Sequence, residues 1–70
     1  MSPYEEFLDK MIGGVVADIR AKGMEVTPGM VTLTIVENLF PDAYRLPERR
    51  NALFSELLPH VERELARTKI

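Results

Sequence analysis

The stretch from Leu46 to Ala66 constrains this chain more than any other, because it is the longest run of apolar residues at helical spacing. Leu53, Phe54, Leu57, Leu58, Val61 and Leu65 fall within an arc of roughly 140° at 100° per residue, the stripe of a helix packed on a core. Ser55, Glu56, His60, Glu62, Arg63 and Arg67 are assigned to the opposite, water-facing side. Pro47 suits a first helical turn, where its missing N–H has no helical partner to lose. Pro59 lies inside the pattern and deprives the Ser55 carbonyl of its donor. A kink is therefore expected at Pro59, with water satisfying the freed carbonyl.

The rest of the chain reads as two further helices. Ser2, Pro3 and Glu5 form a helix start, with a hydroxyl cap, a proline in the first turn and a glutamate placed to close a capping box. Tyr4, Phe7, Leu8, Met11, Ile12, Val15, Val16 and Ile19 then make one broad apolar face, and Gly23 is a natural stop, so the first helix is expected over 3–22. Thr27-Pro28 repeats the cap-plus-proline pattern. The segment Met30–Phe40 carries β-branched residues and alternates over Val31–Val36, which suits a strand by propensity. No other segment alternates to pair with such a strand, and Thr34, Glu37 and Asn38 share one polar arc of a helical wheel. A second helix over 28–40, apolar across about 200° and sandwiched between its neighbours, is the expectation. Asp42 is expected to cap a short turn through Tyr44, and the third long helix to run over 47–68.

The run from Val31 through Val36-Glu37 to Pro41-Asp42 and Arg45 is faintly similar to the second helix and following turn of the theta subunit of bacterial DNA polymerase III, a small three-helix protein. The similarity ends at Leu46-Pro47, and no site or activity is carried over from it.

The expected fold is thus all-α, a single three-helix domain over residues 1–70 with a proline-kinked C-terminal helix. Seventy residues form a small core, and the absence of cysteine rules out a disulfide or a thiolate metal site as a supplement. Dimerisation is the supplement expected instead. Gly13 and Gly14 interrupt the first helix at a cost of about 1 kcal/mol each relative to alanine. The plain reading is that they relax a bend or face water. The alternative is close approach of another helix along Gly14, Ala17 and Ala21, which are the candidate dimer seam.

Charge narrows the partners. The net charge is −2, which does not favour nucleic acid as a partner, because phosphate-driven binding needs a clustered excess of cations. The distribution is uneven: residues 1–44 hold seven acids and three bases, whereas residues 45–70 hold four acids and six bases. Arg45, Arg49 and Arg50 sit at the start of the last helix, where cations oppose the dipole by about 0.3–1 kcal/mol each. Local neutralisation by Asp42 and Glu48 accounts for them in the plain reading; in the functional one they bind an anion or an acidic partner. His60, with Glu56 and Glu64 one turn to either side, is read as part of a solvated charged strip and not as a metal site. The four methionines and two tyrosines are read as core fillers before binding groups.

No nucleophile, glycine-rich phosphate loop or metal-ligand pattern stands out, and neither an enzyme nor a cofactor is expected. The acidic N-terminal segment lacks the basic start of a signal peptide and no apolar run reaches membrane-spanning length, so no membrane role and a cytoplasmic location are expected. The leading expectation is a helical interaction module (a regulator, inhibitor or accessory subunit) that binds a larger protein. A DNA-associated regulator and an oligomer that binds an anionic ligand, both through the arginines, are the alternatives.

Overall fold

The computed structural model describes residues 2–67, and their regular structure is entirely helical. Helix α1 spans Pro3–Ala21, α2 Pro28–Leu39, α3 Pro41–Tyr44 and α4 Pro47–Arg67. The three long helices stand where the spacing predicts them; α3, a single turn of four residues, makes the count four among the described residues. Residue 68, the expected end of the last helix, lies outside them.

Three of the helix ends have a clear local cause. The Ser2 hydroxyl accepts a hydrogen bond from the Glu5 amide at 3.2 Å, and Thr27 accepts one from the Met30 amide at 3.2 Å, so each cap satisfies a donor that the first helical turn leaves free. Both caps are followed by proline in the first turn. At the far end of α1, Gly23 adopts φ +73°. Its N–H donates to the Arg20 carbonyl at 2.9 Å and that of Met24 to Ile19 at 3.2 Å, closing the end of the helix with the backbone conformation glycine reaches most easily. One expectation fails: Asp42 does not cap α3. The cap position is Phe40, which has no side chain able to accept, and Asp42 lies inside the first turn behind Pro41.

Helix α2 forms the centre, packing against α1, α3 and α4. Val31, Thr32, Ile35 and Val36 are fully buried. Thr32 is tolerated there because its hydroxyl donates to the Pro28 carbonyl at 2.7 Å, leaving no unpaired polar group. The polar arc falls as expected, with Glu37 and Asn38 exposed and Thr34 bonded to the Met30 carbonyl at 2.8 Å. From α1 the core receives Leu8, Ile12, Val15 and Ile19, and from α4 Leu57 and Val61. The broad apolar face of α1 is only partly used: Tyr4 and Phe7 remain 55% and 47% exposed. Gly29, in the first turn of α2, lies at ordinary contact distance from the Phe54 ring, 3.9 Å from the position its Cβ would take. Pro59 lies within α4 on an exposed position.

Leu57 is buried and Leu53 half-buried, which ranks two substitutions. Leu57→Ala should destabilise the domain by about 2–5 kcal/mol, and Leu53→Ala by less, because the cost follows the cavity left behind. Urea unfolding followed by circular dichroism checks this; equal midpoints for both variants and the parent would place the stripe away from the core.

Candidate functional site

Two regions of the surface draw charged or apolar side chains together: the seam between α1 and α4, and the corner where α3 meets α4. The seam is the more constructed. His60 Nε2 lies 2.9 Å from Asp9 Oδ1, joining α4 to α1, with only 15% and 19% of the two side chains exposed. Arg63 Nη2 approaches His60 Nδ1 at 3.3 Å, and Arg67 Nη2 donates to Glu64 Oε1 at 2.6 Å. Glu64 itself is buried. The hydrogen bond with His60 holds the Asp9 carboxyl below its usual range; burial opposes this, while a hydrogen bond with Glu64 and the charges of His60 and Arg67 reinforce it.

Beside this network runs a groove of about 260 Å³ whose lining includes Ile12, Gly13, Val16, Ala17 and Leu65, with Asp9 and Glu64 on one side and Arg20 also on its wall. An apolar floor bordered by carboxylates and a guanidinium can receive an apolar side chain from another molecule. Among the described residues no group of three or more His, Asp or Glu side chains is arranged to hold a metal ion, and no helix is long and apolar enough to cross a membrane.

The charged strip expected around His60 is corrected. Glu56 is exposed, but His60 is mostly buried and Glu64 buried, because α1 covers that flank of α4. The missed signal is spacing: Leu53, Leu57, His60 and Glu64 follow one another at intervals of four, three and four residues, so the histidine and the glutamate prolong the buried stripe. Asp9 carries the matching signal on α1, three residues before Ile12 and seven before Val16.

The arginines are divided. Arg45 and Arg49 are exposed at the α3–α4 corner, whereas Arg50 is half-buried. Its guanidinium stands 5.5 Å from the centre of the Tyr44 ring, and its Nη1 donates to the Tyr44 carbonyl at 3.4 Å. This cation–π contact and hydrogen bond tie the start of α4 back to α3. Next to this corner Leu46 is half exposed. Gly14, Ala17 and Ala21 are all exposed on α1, and a Cβ at Gly13 or Gly14 would meet nothing within 4 Å. Ala17 lines the α1–α4 groove, while Gly14 lines a hollow toward α2 with Met11, Thr34 and Asn38.

Comparison of the chain with protein-family models, with curated proteins and with solved structures finds no match.

The lowered Asp9 carboxyl gives a testable pH dependence. Because it is depressed in the folded chain, the unfolded chain takes up a proton first on acidification. The stability contributed is therefore present above the ordinary carboxylate range, where the reference value is 3.8, and is lost as pH falls through the lower folded value. Asp9→Asn should leave a shallower decline of stability between about pH 5 and pH 2 than the parent shows, measured by urea unfolding at a series of pH values. Parallel declines would show that the carboxylate is not differentially stabilised.

Proposed function

We propose that this chain is a small helical interaction module, working in the cytoplasm as a regulator, inhibitor or accessory subunit that binds a larger protein. The observation that carries the reading is the exposure of Tyr4 and Phe7, at 55% and 47%, on the same flank of α1 as half-buried Met11 and exposed Gly14. Positions 4, 7, 11 and 14 share one helical flank, so they offer a continuous strip with two aromatic anchors. Aromatic and methionine side chains supply large contact areas and are enriched where proteins meet. The fold supports this arrangement, since a body of 35 × 31 × 16 Å is thin in one direction and leaves flanks of its helices open. An anionic ligand or DNA as target ranks second, because Arg50 is engaged with Tyr44 and only Arg45 and Arg49 of the three are exposed.

Self-association as a dimer belongs to the same proposal, with Gly14, Ala17 and Ala21 as the seam. Its support is that all three are exposed and that the glycine pair has no neighbour within the chain to account for its small size. A seam of small residues lets two helix backbones come close.

The partner surface is tested by Tyr4→Ser with Phe7→Ser. Both side chains are exposed, so the double variant should melt close to the parent while losing the proteins that the parent captures by crosslinking in native cells. Recovery of the same proteins by the variant would remove this flank as the binding surface.

The seam is tested through helix propensity. Gly14→Ala meets open space and should stabilise α1 by about 0.5–1 kcal/mol in the monomer. Ala17→Leu should weaken association measured by sedimentation equilibrium at about 100 μM, and the parent's melting temperature should rise with concentration. A parent that sediments only at 8.0 kDa, with a concentration-independent melt, would eliminate the dimer.

A further inference from the structure

We propose that His60 is a proton-operated switch for Arg63, in which protonation releases the arginine while the Asp9 contact keeps α4 closed on α1. The argument rests on donors and acceptors. A guanidinium can only donate, so the approach of Arg63 Nη2 to His60 Nδ1 at 3.3 Å requires a lone pair on Nδ1. The ring proton of the neutral imidazole is then on Nε2, where Asp9 Oδ1 stands at 2.9 Å to accept it. Arg63, His60 and Asp9 thus form a directed chain, Arg63 donating to His60 and His60 donating to Asp9. One tautomer alone satisfies both contacts.

Adding a proton at Nδ1 changes the two contacts in opposite ways. The Nε2–H bond to Asp9 persists and gains charge on its donor, becoming an ion pair that closes α1 and α4 at least as firmly. The Nδ1 contact inverts, with two N–H donors and two positive charges facing each other, and Arg63, which is exposed, has room to swing into solvent. The groups facing the imidazole fit this division. Asp9 and Glu5 of α1 and Glu64 of α4 border the same hollow and favour the cationic ring, whereas Arg63 and Arg67 oppose it. Arg67 is held by Glu64 at 2.6 Å, which leaves Arg63 as the cation free to move. The output is a surface that gains one charge on His60 and one released guanidinium on α4, without the helices coming apart.

The experiment is a pH titration of the full chain, labelled with nitrogen-15, by NMR. At alkaline pH the His60 signals should show Nδ1 bare and Nε2 protonated. On acidification the Arg63 side-chain signals should move with the same midpoint as Nδ1, while the proton–proton proximities between α1 and α4 stay constant. Arg63→Ala, an exposed substitution, should let Nδ1 gain its proton at higher pH than in the parent, whereas Asp9→Asn, whose amide oxygen still accepts from Nε2–H, should keep the tautomer. A parent with the proton on Nδ1, Arg63 signals indifferent to the His60 midpoint, or separation of α1 from α4 at that midpoint would each overturn the switch.

Discussion

Everything in this fold depends on the burial of one face of α2. A helix of twelve residues would be marginal alone in water, and it persists here because Val31, Ile35 and Val36 are removed from solvent by the helices around them. Full burial of such a side chain contributes about 1.5–3 kcal/mol, and none of the other three helices has as many fully buried residues. The same helix forces a polar concession. Thr32 occupies the buried face, and only its bond to the Pro28 carbonyl makes that position inexpensive. Helices α1 and α4 are therefore arranged chiefly through α2, and meet each other along a looser seam that leaves room for a groove and a polar network.

Much of this architecture is legible in the sequence. Ser2, Thr27 and Gly23 mark helix ends by chemistry that acts within a few residues, so their roles need no knowledge of the rest of the fold. The choice of helix over strand for residues 28–40 likewise rests on a local fact, the polar arc of Thr34, Glu37 and Asn38. Asp42 misleads because proline at position 41 fixes the start of α3 one residue earlier, leaving the carboxylate inside the turn it was expected to cap.

The site is less legible, because its residues are joined across 51 positions of sequence. A helical wheel of α4 alone treats His60 and Glu64 as polar and therefore wet; which flank is covered is decided by α1, and the wheel contains no information about it. The converse holds at Tyr4 and Phe7, apolar by pattern yet exposed because the fully covered face of α1 is that of Leu8, Ile12, Val15 and Ile19. Arg50 shows a third route to the same difficulty. Three neighbouring arginines read as one cationic cluster, but an aromatic ring six residues earlier takes one of them away.

The polar seam complements the apolar centre instead of duplicating it. Apolar contact is non-directional, so a wedge of valines and isoleucines holds α1 and α4 against α2 while constraining their rotation about their own axes only through shape. A hydrogen bond is directional, and the bond between His60 and Asp9 at 2.9 Å is made only when the two flanks face each other. Partly buried charges bring little net stability, since their attraction is offset by lost hydration. What this network supplies is orientation: it sets which side of α1 meets α4, and so leaves Tyr4 and Phe7 outside the seam. The exposed face and the polar contact are two results of one geometric choice.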